Sequence, residues 1–293
     1  MCILTIQNYM GMPENTNEYP EMGLFDMTRS DLEMKGRFLR IDKNGFFYCR
    51  RGTLEIVIEN KTYLIKENDI FIYLPFCELY IHNISDDLAG VIGIADFSFV
   101  YSSLHVVANT YNYLYVKNNP CMSLSPEGKV RVDEMIAAIQ SRKGMESDPV
   151  MFQMLSSLAK SLCFQIMYEY FSGTHSSPVR QDRKDIVFQN FMQSLYKNCT
   201  KCREAAYYAQ EQCLTPRYFS SLIKSGTGRS AQQWITVVII DKACRLRDDP
   251  SNSIKDVSYR LGFPNQSFFG RYFKQYYGKS PSEYRNSLSE ENV

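Results

Sequence analysis

Two stretches near the C-terminus of this 293-residue chain repeat one another at an offset of 50 residues. Tyr218, Phe219 and Ile223 recur as Phe268, Phe269 and Phe273, and Lys224 recurs as Lys274. Gly228, Ser230 and Trp234 recur as Gly278, Ser280 and Tyr284. A repeat of this kind means that one supersecondary unit is used twice, so any fold of the chain must build the same local structure at both places.

Local rules rebuild that unit. In the second copy Ser253 fits a helix N-cap, and Ile254, Val257 and Leu261 line one face of the helix it opens. Gly262-Phe263-Pro264 closes it, because glycine tolerates a left-handed C-cap and proline cannot continue a helix. Asn265 then caps a second helix over 266–276. In the first copy a helix over 205–212 is followed by the turn Cys213-Leu214, a cap at Thr215 and Pro216 at the first helical position. Helix, short turn, helix is the helix-turn-helix pattern.

At about 100° per residue, the second helix of each copy sorts into two faces. Phe268, Phe269, Tyr272, Phe273 and Tyr276 fall on one side, opposite Ser267, Arg271 and Lys274. In the first copy Tyr218, Phe219, Leu222 and Ile223 fall inward, opposite Arg217, Ser221 and Lys224. The segment between the copies, Ala231–Asp248, carries Trp234, Ile235, Val238, Ile239 and Leu246 and reads as one helix. Such a helix is about 27 Å long, close to the roughly 34 Å of one DNA turn.

Charge is divided along the chain in the same sense. Residues 183–288 hold 17 Lys and Arg against 8 Asp and Glu, a net +9, which leaves −8 for the remainder of a chain whose net charge is +1. A basic third on an acidic body is the layout of a phosphate-binding head.

Residues 36–100 read as β-structure. Phe46-Phe47-Tyr48 is an aromatic run, Leu54, Ile56 and Ile58 alternate with polar partners, and Tyr63-Leu64-Ile65 and residues 70–74 follow before Pro75. Further short apolar runs with Gly90 and Gly93 extend to Phe99, and short strands at this spacing make a small barrel or sandwich. Beyond Asn109 the pattern turns helical. A helix over 126–141 carries Val130, Met135 and Ile139. A longer one over 150–171 carries Met151, Met154, Leu155, Leu158, Leu162, Ile166 and Tyr170, as core packing or as a dimer seam. Residues 172–178, SGTHSSP, are a linker.

With these residues in place the C-terminal third resembles the AraC-type (AraC/XylS) transcriptional regulators. The resemblance rests on Gly262-Phe263, Phe269, Phe273-Lys274, Gly278, Pro281 and Tyr284-Arg285, which match that family's C-terminal signature in register. It implies an α+β chain with a cupin-like N-terminal β-barrel and following helices, then an all-α domain of two helix-turn-helix units joined by a linker helix. The boundaries are 1–122 for a cupin-like effector domain, 123–172 for a helical dimerisation or packing segment, 173–182 for a linker and 183–288 for the DNA-binding domain. By position it assigns base reading to Arg217, Ser220 and Ser221 and to Gln266, Ser267 and Arg271. Arginine suits guanine, glutamine suits adenine and serine is permissive. Lys224 and Lys274, with the cap residues Thr215 and Asn265, are assigned to phosphates.

The resemblance implies double-stranded DNA and RNA polymerase as partners, a homodimer, and a small-molecule effector at the N-terminal domain. The family's linker helix usually has an arginine four residues before its alanine, where Ile239 precedes Ala243 here. Ser258 stands where a small alanine is common.

Other chemistries find little footing. Nine scattered cysteines, a start too short and polar for a signal peptide and the expectation of no apolar run near 18 residues point to free thiols in a reducing cytoplasm and no membrane span. Cys199 and Cys202 form a lone CxxC, and His82, His105 and His175 do not cluster with it, so no metal or cofactor is expected. A cupin-type enzyme needs clustered His and Glu ligands, and no phosphate loop or nucleophile elbow occurs, so no catalytic residue is named. An adaptor whose basic helices read nothing is the other reading.

Overall fold

The computed structural model describes residues 22–33, 38–41, 43–74, 77–95, 99–100, 113–145, 147–173, 183–248 and 252–284. The chain start, the linker over 174–182, His105, His175 and Arg285 lie outside them. The chain divides into two compact units, Met1–Leu104 with Tyr115–Val179, and His105–Leu114 with Arg180–Val293.

The first unit contains β1 (Met22–Thr28), α1 (Arg29–Glu33), β2 (Phe38–Ile41), β3 (Asn44–Arg51), β4 (Leu54–Ile58), β5 (Lys61–Ile65), β6 (Asp69–Tyr73), β7 (Cys77–Ile84) and β8 (Ala89–Ala95). After α2 (Tyr113–Asn118) come β9 (Cys121–Ser123), α3 (Pro126–Gln140) and α4 (Pro149–Gly173). The strands form two antiparallel sheets, β1-β8-β3-β6-β9 and β2-β7-β4-β5.

Side-chain alternation explains the core. Leu54 and Ile56 of β4, Leu79 and Ile81 of β7, and Leu39 and Ile41 of β2 pack with Phe47 and Cys49 of β3, Phe71 and Tyr73 of β6, and Ile92 and Ile94 of β8. The aromatic residues Phe47, Phe71 and Tyr73, with Tyr63 against them, are therefore packed core. In the five-stranded sheet the opposite face is buried too, through Met22, Leu24, Phe46, Tyr48, Ile70 and Val91. That double burial accounts for the unbroken apolar runs of β3 and β8.

Gly90 and Gly93 stand inside β8 rather than in a turn. A Cβ at Gly90 would lie 2.5 Å from the Phe47 ring, and one at Gly93 would lie 2.2 Å from the Phe46 ring. The glycines make room for aromatic rings of the neighbouring strand.

Helix α3 starts at Ser125, whose hydroxyl accepts the Gly128 N–H at 3.0 Å, and buries Val132, Ile136 and Ile139. Val130, placed on the apolar face by the sequence reading, is exposed. It lies about 200° around the helix from Val132. Helix α4 buries Leu155, Ala159, Leu162, Ile166 and Tyr170. Tyr170 donates to the Asn119 carbonyl at 2.5 Å, and buried Glu169 accepts from Arg131 Nε at 2.9 Å. Met154, expected on the buried stripe, is exposed. Contrary to the expectation of no such run, Pro149–Ser172 is long and apolar enough to cross a membrane by length and composition, with a mean hydropathy of 1.2. Its apolar residues are shared between a face packed inside the first unit and a face left open.

The second unit is helical: α5 (Arg183–Asn198), α6 (Ala205–Glu211), α7 (Pro216–Thr227), α8 (Ala231–Asp248), α9 (Ile254–Arg260) and α10 (Gln266–Tyr277). The apolar face of α5 (Val187, Phe188, Phe191, Met192 and Leu195) is buried. Phe188 meets Trp234 of α8 with ring centres 5.2 Å apart, and Phe191 meets Phe219 of α7 at the same distance. The Trp234 indole donates to Thr227 Oγ1 at 3.0 Å, so its polar atom is satisfied inside the core.

Candidate nucleic-acid interface

Each helix-turn-helix is made by the caps its sequence carries. Thr215 accepts the Tyr218 N–H at 3.3 Å with Pro216 in the first turn, and Asn265 accepts the Phe268 N–H at 3.0 Å. Ser253 and Asp256 form a full capping box at the start of α9. The Ser253 side-chain and backbone hydrogen bonds hold the Asp256 carboxyl below the usual carboxylate range. Helices α7 and α10 end alike, on Gly228 at φ 80° and Gly278 at φ 96°, each N–H donating to the carbonyl of Lys224 or Lys274.

The two turns differ. The left-handed residue is Cys213 at φ 55° in the first and Gly262 at φ 71° in the second. From Gly262 to the cap at Asn265 is one residue longer than from Cys213 to Thr215. Glycine is required at 262 by space as well as by conformation, since a Cβ there would lie 2.1 Å from the Thr200 carbonyl oxygen.

The apolar residues of the sequence signature are structural. Phe263, Phe269, Phe273, Pro281 and Tyr284 are buried, and the Phe263 ring packs tilted on that of Phe269 with centres 5.2 Å apart. The residues assigned to DNA stand elsewhere. Arg217, Ser221, Lys224, Gln266, Ser267, Arg271 and Lys274 are exposed, Ser220 is half-buried, and the cap residues Thr215 and Asn265 are exposed at the starts of their helices. Each of these helices thus presents a polar row, with basic groups at Arg217 and Lys224 on α7 and at Arg271 and Lys274 on α10. The N-terminus of each helix adds the positive end of its dipole.

Three aromatic residues depart from the inward face given to them by helical geometry. Tyr218 is 43% exposed, Phe268 52% and Tyr276 50%. Phe219 and Phe269 take the central line of contact and are fully buried. Their predecessors, about 100° around the helix, fall on its flank. Sequence spacing alone cannot assign a flank residue, because the width of the neighbouring helix decides it.

A pocket for a metal would need several donors together. Among the described residues no three His, Cys, Asp or Glu are placed to share an ion, and His82 is an exposed residue of β7.

Residues 208–287 match a family model described as a helix-turn-helix domain. The HTH-type transcriptional regulator YobQ of Bacillus subtilis is 38% identical over 73 residues, covering 25% of this chain and 30% of its own length. The arabinose operon regulatory protein of Escherichia coli is 34% identical over 87 residues, covering 30% of each chain. The present chain thus spans about a third of the length of these relatives. The solved structure of fatty-acid-bound ToxT from Vibrio cholerae is 16% identical, with a TM-score of 0.48 over 92% of this chain and 95% of its own. The C-terminal region of this chain is an AraC-type helix-turn-helix domain.

Proposed function

We propose that this protein is a sequence-specific regulator of transcription that reads double-stranded DNA with α7 and α10. One observation carries the reading. Two helices built by matching caps, cores and left-handed ends both leave an outward polar and basic row. A single basic helix face is common on any protein surface, whereas the same face in duplicate inside a region of net +9 has a reason on DNA. Arg217, Ser220 and Ser221 on α7 and Gln266, Ser267 and Arg271 on α10 read base edges. Lys224 and Lys274, in the last turns of these helices, and the caps Thr215 and Asn265, at their starts, bind phosphates. Helix α8, 18 residues long and hence about 27 Å, spaces the two readers for successive major grooves.

The first unit is the regulatory part. A small effector or a protein partner there shifts the population of DNA-competent dimers, and the bound heads recruit or block RNA polymerase in the cytoplasm. No catalytic step belongs to this account. The homodimer is supported by the open face of α4. Val150, Met154, Ser157, Ser161, Phe164 and Tyr168 are exposed and recur at alternating spacings of four and three, a coiled-coil seam. The series is also symmetric about residue 159. Antiparallel pairing of two copies sets Val150 against Tyr168, Met154 against Phe164, and Ser157 against Ser161, with the small serines at the crossing point. A seam complementary to itself suits a second copy of this chain.

The test is binding of the full chain to random-sequence duplex DNA across a salt series. The reading predicts nonspecific affinity that falls steeply with salt and falls further in Lys224→Ala and Lys274→Ala. Binding that ignores salt and both variants contradicts it.

A further inference from the structure

Phe268 opens the recognition helix α10 as a ring 52% exposed, and the Arg271 guanidinium lies over that ring, 4.6 Å from its centre. An isolated exposed aromatic needs no explanation, but this one is duplicated. Tyr218, its counterpart 50 residues earlier, is also exposed, and a guanidinium lies over its ring too, that of Arg183 at 5.5 Å. The fold supplies the first cation from α5 and the second from the reading helix itself, where the counterpart of Arg271 is Ser221.

We infer that Phe268 and Arg271 act as one reading unit, recognising a thymine in the base pair next to a guanine. The inference rests on the reading of α10 as a major-groove helix. The thymine C5-methyl is the one apolar group on the base edges of that groove and is matched by apolar contact, while an arginine fork matches guanine O6 and N7. Ring and guanidinium, about one helical turn apart in sequence, lie side by side with the guanidinium carbon 4.6 Å from the ring centre, and successive base pairs rise by about 3.4 Å. Adjacent side chains therefore meet adjacent pairs. Stacking on the ring also holds Arg271 in one orientation before DNA arrives, which reduces the ordering cost of its fork. Helix α7 lacks an arginine at the matching position and carries only the aromatic half on its own surface.

The experiment uses the full chain and the DNA site it selects. Each thymine of the site is replaced in turn by deoxyuridine, which removes the methyl and leaves base pairing intact. For the unmodified protein, one replacement next to the guanine read by Arg271 is expected to weaken binding about fourfold, the equivalent of one buried methyl-sized group at about 0.8 kcal/mol. Phe268→Ala should lose at least as much on the thymine site, the excess coming from the freed Arg271 fork, and should bind the thymine and deoxyuridine sites equally. Phe268→Leu should keep part of the methyl preference. Lys274→Ala should weaken both sites equally. A selected site whose affinity is unaffected by every deoxyuridine overturns the inference and leaves DNA reading intact. Failure to select any site overturns DNA reading, and the inference falls with it.

Discussion

The guanidinium of Arg203 lies 3.6 Å from the centre of the Phe263 ring. Its Nη2 donates to the Leu261 carbonyl at 2.6 Å, and the Arg203 carbonyl accepts from Gln232 Nε2 of α8 at 3.2 Å. Arg203 precedes the first helix-turn-helix, and Leu261 and Phe263 form the turn of the second, so one residue joins both units and the helix between them. Burial lowers the Arg203 pKa, yet an arginine remains charged.

Arg203→Ala removes a charged hydrogen bond and a stacked cation. It is expected to cost about 1–2 kcal/mol of stability in the C-terminal region. The single tryptophan of the chain, Trp234, is buried there and reports unfolding in urea by its fluorescence. DNA carrying both half-elements should lose more affinity than DNA carrying one. Equal losses on the two would mean that Arg203 does not set the spacing of the readers.

Ser258 offers a change in the opposite direction. Its hydroxyl is buried and has no hydrogen-bond partner among the described residues. Ser258→Ala removes an unsatisfied polar atom and should stabilise the region by about 1 kcal/mol, raising the urea midpoint read from Trp234. A lowered midpoint would show that the hydroxyl has a partner in solution.

The α4 seam predicts a change of mass. Phe164→Glu places a charge on an exposed position of the proposed antiparallel crossing, opposite Met154 of the second copy. Sedimentation should show a dimer for the unmodified chain and a monomer for the variant, with unchanged circular dichroism. A chain that is monomeric before substitution removes the seam from the account.

Thiols give the first unit a dependence on alkaline pH. Burial pushes the Cys77, Cys121 and Cys163 thiols from an ordinary 9.0 up to about 12. Above about pH 9 the unfolded chain loses these protons and the folded chain keeps them. Stability is therefore full below that pH and falls as pH rises toward 12. In alkylation at pH 8 exposed Cys213 should be modified well before these three. Equal rates would contradict their protection.

The helix-turn-helix units were legible because their stops and starts lie in single residues. Thr215, Pro216, Ser253, Asn265 and Gly262 each act within a few residues, and all stand where local rules put them. The linker helix Ala231–Asp248 was legible from its apolar spacing. The β-unit was legible only in class. That β8 lies between β1 and β3 depends on pairings far apart in sequence, and the purpose of Gly90 and Gly93 depends on rings from β3. The apolar faces of Val130 and Phe268 were misread for a related reason, since a neighbour supplied by the rest of the fold decides which flank of a helix is covered. The residue pairs Arg203–Phe263 and Arg271–Phe268 had no sequence signal of their own.

The most direct measurement is selection of bound sequences from random DNA by the full chain beside its Arg271→Ala variant, at a fixed salt concentration. The account predicts a motif of two half-elements about ten base pairs apart, with the variant relaxing one of them by about 1–3 kcal/mol. Weak binding without a motif, unchanged by the variant, would contradict it and make the duplicated polar row an ordinary solvated surface.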